Sequence, residues 1–294
     1  YTSLSSKGYD TVRTFPPIRV WGTVGFIVSM IAVDLIRIDG VQLSKTSYQL
    51  YFSALLSLIL GLYAFTLPNC EVNRSADRSS LVDRLGLRAF ALFRHRQMAT
   101  FFIFSMCLGI ALQITNAFAN DYLTNHFGNI EEFAGTFGVE HANILISLSQ
   151  MSETLCILLI PFFLKRYGIK TVMLISMFAW VLRFGLLGAG DPGGGVWMLV
   201  LSMLIYGVAF DFFNISGSLY VEKVTEPAIR SSAQGVFMIM TNGFGAFVGS
   251  YAAGKVVDLV GWPHSWYLFA GYSMLIALLF MIFFNYRHEP EPLK

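Results

Sequence analysis

Apolar residues gather in eight long blocks, at approximately 17–37, 48–67, 98–122, 142–164, 171–189, 196–220, 232–256 and 265–285. A helix needs about 20 residues, at about 1.5 Å each, to cross the hydrocarbon core of a bilayer. Each block is of that order. The pattern predicts eight transmembrane helices and an all-α polytopic membrane protein, with the Pro16–Pro17 pair marking the start of the first helix.

The polar segments between the blocks alternate in basic content. Segments 1–16, 68–97, 165–170, 221–231 and 286–294 all hold Lys or Arg, most densely at Arg74, Arg78, Arg84, Arg88, Arg94 and Arg96. Segments 123–141 and 190–195 hold none, and 38–47 holds only Lys45. Because short basic loops stay inside, the first group is expected to be cytoplasmic, both chain ends included. An even number of crossings agrees.

Segment 68–97 separates two helices from six. Its amphipathic piece at Leu81–Phe93 reads as part of a linker lying on the membrane surface. The expected domains are therefore 1–67, the end of an N-terminal helix lobe; 68–97, a cytoplasmic linker; and 98–294, a C-terminal six-helix lobe. The chain begins at Tyr1 with no signal peptide before the first block, and is expected to be truncated there. Four further helices ahead of Tyr1 would complete the 6+6 arrangement of a two-lobed transporter.

Composition strengthens this picture. The chain is 55% hydrophobic and 13% charged, where a soluble domain carries about a quarter charged residues. Its 27 Phe and 26 Gly suit lipid-facing bulk and close helix packing. The net charge of +2 says little about partners. Cys70, Cys107 and Cys156 are widely separated, without disulfide or metal-ligand spacing. There is no phosphate loop, HExxH, nucleophile elbow or ligand-spaced His/Cys cluster. The expectation is a protein that is no enzyme, takes no metal or cofactor and binds no nucleic acid.

What chemistry there is lies inside the blocks. Trp197–Tyr220 carries Asp211 near its centre, and an ionised carboxylate at that depth must face protein or water. Gly207, Asp211, Asn214 and Ser218 share one helical face, a small-and-polar stripe that reads as the wall of an aqueous cavity. The alternative is a neutral or paired Asp that joins helices. Gln113 and Asn116, with Asn120 a turn beyond, lie on the third block, and Gln150 and Glu153 on the fourth. Counting inward from Met98, Leu164 and Tyr220 at about 1.5 Å per residue, Gln113, Glu153 and Asp211 reach similar, mid-membrane depth. Interhelical hydrogen bonds account for an amide alone, but poorly for two acids with no equally deep cation. Gln and Asn offer both donor and acceptor, as an uncharged polar solute requires. Phe26, Tyr206 and Phe210 read equally as stacking surfaces for a flat ring and as ordinary packing. Glu153 and Asp211 can load and release protons.

Arg19, Thr23 and Phe26 share a face of the first block, where Arg19 alone reads as a basic side chain snorkelling to the headgroups. Arg183, near the end of its block, reads the same way. Gly243, Gly245, Gly249 and Gly254 read as packing residues of the seventh block.

Several runs together resemble a family. FPPIRVWGTVGFI (15–27), LQITN (112–116), SQMSE (149–153), IYGVAFD (205–211), IRSSAQG (229–235) and GKVVD (254–258) look like the bacterial nucleoside:proton symporters of the major facilitator superfamily. LKRYGIK (164–170) resembles the loop between the second and third helices of each half of that superfamily. The resemblance covers essentially the whole chain, as helices five to twelve of twelve. It implies proton-coupled nucleoside import by alternating access in the bacterial inner membrane, by a monomer with nucleoside, protons and lipid as partners. It also implies a nucleoside site at Arg19, Thr23 and Phe26, and at Gln113, Asn116, Gln150, Glu153, Tyr206, Phe210 and Asp211. Glu153 and Asp211 would carry the proton. A symporter or facilitator for another polar solute, such as a sugar, and a non-transporting receptor on the same fold are the alternatives.

Overall fold

In a computed structural model, which describes residues 11–67, 87–226 and 229–286, long apolar helices follow one another with short connections. The chain forms two compact units, 1–78 and 79–294.

The first unit holds α1 (Thr11–Leu35) and α2 (Tyr48–Ala64). Helix α1 begins upstream of Pro16–Pro17, where the apolar pattern predicts its start. Between the helices, β1 (Arg37–Ile38) and β2 (Val41–Gln42) pair antiparallel, Arg37 opposite Gln42. Asp39 and Gly40 turn the hairpin at positive φ, 52° and 82°, as a two-residue loop demands. No residue of α2 is buried, so this helix presents apolar side chains all round.

The second unit opens with a 3₁₀ turn, Leu87–Arg94, the described part of the amphipathic piece. Its Ala89 and Leu92 are buried, and Phe93 packs 5.0 Å from the Phe102 ring, so this end of the segment docks on the helices. Then follow α3 (Arg96–Asp121), α4 (Phe137–Glu140), α5 (Ala142–Ala189), α6 (Val196–Val224), α7 (Arg230–Met238), α8 (Ala246–Val260) and α9 (His264–Phe283). A π-helical turn, Tyr122–His126, carries α3 past the boundary expected at residue 122, and another, Ile239–Gly245, joins α7 to α8.

Among the described residues five helical stretches are long and apolar enough to cross a membrane: Arg96–Asn129, Ala142–Ala189, Val196–Val224, Arg230–Val260 and His264–Phe283. Val20–Leu35 and Tyr48–Ala64 are shorter apolar helices. The 48-residue α5 is two helices meeting at Gly168, whose φ of 75° and ψ of 168° are open to glycine and not to an ordinary side chain. The kink falls inside the basic LKRYGIK segment, where Lys170 Nζ donates to the Met281 carbonyl at 3.2 Å.

Close helix approach shapes this unit. With no hydrophobic effect between helices in lipid, small residues that let backbones touch hold a bundle together. Gly109 of α3 lies against the Thr241 backbone, where a Cβ has no room, and a Cβ at Gly245 would stand 2.7 Å from the Met106 carbonyl oxygen. Gly249 sits against Ile110 and the Gln113 Cβ. The GxxxG pair 245–249 therefore packs the end of the π-helical turn and the start of α8 on α3, whereas Gly243 and Gly254 stand at ordinary contact distance from their neighbours. On the opposite side Gly207 of α6 meets the Ser152 backbone, 2.6 Å from an added Cβ. The Asp191 carboxylate turns the chain between α5 and α6, accepting from the Gly193 and Gly195 amides at 2.8 and 3.0 Å.

Overpacking of this kind costs about 1–3 kcal/mol. Gly109→Ala and Gly245→Ala are therefore expected to lower the apparent melting temperature of the detergent-solubilised protein clearly. Gly235→Ala, with nothing within 4 Å of the new methyl, is the control, and equal melting of all three would contradict the packing described.

Candidate functional site

The short turn after α5 makes its second half and α6 antiparallel neighbours. A residue some positions before the turn then faces one about as many positions after it. Ser176 Oγ accordingly donates to the Ala209 carbonyl at 2.5 Å, and Ser202 Oγ to the Arg183 carbonyl at 3.0 Å. The first half of α5 crosses the same helix. Ser152 donates to the Leu204 carbonyl and Ser149 Oγ approaches the Met203 sulfur at 3.2 Å. Three helical segments thus meet around residues 202–211 of α6.

Tyr206 is the hub. Its ring stacks on Phe210, centroids 5.8 Å apart and planes at 20°, and receives the edge of Trp180 at 6.1 Å and 87°. Ser152, next to Glu153 in the chain, packs on Gly207 of α6, one helical turn before Asp211, so the two acids stand on helices in direct contact. Asp211 is fully buried, at 0% exposure, while Glu153 is half-buried.

Arg183 corrects the sequence reading, in which it snorkels outward. Instead Arg183 is 1% exposed, with its guanidinium carbon 4.7 Å from the Tyr206 ring centroid. One terminal nitrogen donates to the Ser202 carbonyl at 2.5 Å and the other lies 3.8 Å from the Met203 sulfur. The reason is geometric. Ser202 faces Arg183 across the hairpin, and a backbone carbonyl together with an aromatic face can receive a guanidinium inside the bundle. The rule that pairs residues across a short turn could have found this contact; hydropathy could not.

The amides divide. Gln113 and Gln150 are half-buried, on α3 and α5, and Asn116 is exposed. Asn120 donates to the Asn143 side chain at 3.0 Å, a bond between helices. The α6 stripe divides as well, and does not form a single wet wall. Gly207 packs on Ser152, Asp211 is buried, and Ser218 exchanges hydrogen bonds with Gln234 of α7 at 3.2 and 2.7 Å. Asn214 alone of the four lines a small cavity of about 20 Å³, with Leu112, Trp180, Phe210, Thr241 and Asn242. Trp180 and Asn242 escape a sequence reading, the first as one aromatic among many, the second because nothing in sequence marks the π-helical turn that holds it. In the first unit Thr23 is half-buried and Phe26 is 53% exposed, while the side chain of Arg19 lies outside the described residues. Among the described residues no group of three His, Cys, Asp or Glu is placed to hold a metal.

Known proteins match this chain along its length. The sequence model of a family described as "Nucleoside H+ symporter" matches residues 1–289. The nucleoside permease NupG of Escherichia coli (strain K12) is 52% identical over 299 residues, spanning 99% of this chain and 70% of that protein. The xanthosine permease of the same organism is 50% identical over 301 residues, 100% of this chain and 71% of that protein. The crystal structure of a mutant of the nucleoside transporter NupG superposes with a TM-score of 0.85 at 52% identity, covering 97% of this chain and 71% of that one.

The Tyr206 contacts give a stability prediction. Tyr206→Phe keeps the ring for Arg183, Phe210 and Trp180, whereas Tyr206→Leu loses a desolvated cation–π contact of about 2 kcal/mol and the ring stacking with it. The leucine variant should melt well below the phenylalanine variant in detergent; indistinguishable melting of the two would remove Arg183 from the Tyr206 face.

Proposed function

The chain belongs to the nucleoside H+ symporter family, and on that premise we propose that it imports nucleosides together with protons, by alternating access around a polar site at mid-membrane depth. It works as a multi-pass transporter of the bacterial inner membrane, not as an enzyme. One observation supports the reading for this chain: Ser152, next to Glu153, packs on α6 at Gly207, between Tyr206, whose ring is stacked on Phe210, and Asp211. Two acids beside an aromatic pair suit a solute with a flat base and a hydroxylated sugar.

The parts divide the work by their chemistry. Phe210, backed by the Tyr206 ring and bordering the small cavity, offers a face on which a base can stack. Gln113, Gln150 and Asn116 offer donors and acceptors for base edges and ribose hydroxyls. An ionised carboxylate is costly to enclose in a dry protein, and a protonated one far less so. Binding of a proton by Glu153 or Asp211 therefore lowers the barrier to closing the loaded site, and re-exposure to water on the far side favours its release. The charge that moves is the proton's, and the nucleoside rides with it. Arg19, Thr23 and Phe26 of the first unit rest on the family resemblance alone. A polar solute other than a nucleoside fits the amides but leaves the stacked rings without a task.

Uptake of labelled uridine into vesicles, acidic outside, tests this directly. Unlabelled nucleosides should compete and monosaccharides should not. Asp211→Asn and Glu153→Gln should each cut gradient-driven uptake by about tenfold or more, the factor of a lost hydrogen bond to a charged group. Undiminished gradient-driven uptake by both amide variants would overturn the assignment of the acids.

A further inference from the structure

The small cavity between α3, α6 and the π-helical turn holds two polar side chains for which the transport reading above has no task. Leu112, Trp180 and Phe210 give it apolar walls, and Asn214 and Asn242 line it beside them. Thr241 lines it too, but its hydroxyl donates back to the Phe237 carbonyl at 3.0 Å. The asparagines are not spent in this way. Among the described residues the Asn214 side chain makes no hydrogen bond, and Asn242 offers Nδ2 only to the Met238 sulfur, a weak acceptor, at 3.7 Å. A carboxamide inside a transmembrane helix belongs against a polar partner or water, because leaving it unpaired in apolar surroundings is costly. Helix packing alone gives no reason for an amide at either position.

Their placement supplies one. Asn214 stands four residues after Phe210 on α6, so the two share a helical face about one turn apart. Asn242 comes from the π-helical turn, a geometry that recurs at functional sites, and the fit of Gly109 against the Thr241 backbone brings that turn onto α3. We propose that Asn214 and Asn242 determine specificity for the nucleobase: a base lying on Phe210 turns its hydrogen-bonding edge into the cavity, where the two carboxamides read it. The inference rests on the nucleoside reading of this site and sharpens it. The base goes to α6 and the π-helical turn, which leaves the ribose to Gln113, Gln150 and the acids.

The cavity suits this task in size and in kind. Its volume of about 20 Å³ is room for one water-sized group, such as a ring carbonyl oxygen or an amino group, and not for a whole base. A carboxamide carries a donor and an acceptor side by side, the complement of the adjacent acceptor and donor on a base edge. Apolar walls with a few placed polar groups are the usual make-up of a site that orients its ligand. Phe210 is half-buried and Asn242 is exposed, so the cavity opens to the surface of the unit and a flat ring can approach from there.

The test is inhibition of labelled uridine uptake by unlabelled uridine, 3-methyluridine and 2′-deoxyuridine, in proteoliposomes of the full protein, for the wild type, Asn214→Leu and Asn242→Leu. The methyl group blocks the base edge and leaves the ribose intact, and the deoxy compound does the reverse. A lost hydrogen bond costs about tenfold in affinity. The wild type should therefore bind 3-methyluridine about tenfold more weakly than uridine or worse. In each leucine variant that ratio should fall toward one, while the ratio for 2′-deoxyuridine keeps its wild-type value. A wild type blind to the methyl group overturns the inference, and so do leucine variants that keep the wild-type ratio for it or that lose discrimination against 2′-deoxyuridine instead. Should a leucine variant not fold, alanine at the same position replaces it. Wild-type protein whose uridine uptake no nucleoside inhibits would instead defeat the nucleoside reading itself.

Discussion

A charge inside a bilayer is tolerated only in company. Arg183 meets that constraint with the Ser202 carbonyl on one side and the face of Tyr206 on the other. Those contacts need backbone placement to a fraction of a helical turn. Ser202 must stand opposite Arg183, which the turn at Asp191 arranges, and Gly207 must let the first half of α5 come against α6 at Ser152. The glycines of this lobe are thus part of the site's chemistry, because they determine which side chains can meet.

The same logic separates the two faces of α6. Toward α5 the helix is tightly packed, at Gly207 against Ser152 and at Ser202 against Arg183. Toward α3 and the π-helical turn it lines the small cavity with Phe210 and Asn214. Phe210 belongs to both faces, stacked on Tyr206 and bordering the cavity. The π-helical geometry at Asn242 fits this picture, since an extra residue in a helical turn redirects side chains and recurs at functional sites.

Much of this is legible in the sequence. Long apolar blocks fix helices through length alone, and α3, α5, α6 and α9 follow them closely, with the kink at Gly168 inside the expected basic loop. Asp211 and Glu153 stand out because acids are rare at that depth. Arg183 does not, because a cation close to the Ala189 end of its helix reads as a snorkelling one until its partner across the turn is known. The α6 stripe misleads for a related reason: periodicity says which residues share a face, and is silent on whether that face meets water, Ser152 or Gln234. The π-helical turns have no hydropathy signature, so α3 runs on past its expected boundary and Asn242 goes unmarked.

Coupling between nucleoside and proton is the claim on which these contacts converge, and it can be read without any variant. Uridine is added to lightly buffered vesicles containing the wild-type protein, with membrane potential clamped, while external pH and uridine entry are followed together. The account predicts that the medium turns alkaline as uridine enters, at a constant ratio of protons to uridine. Uridine entering with no proton movement would contradict it.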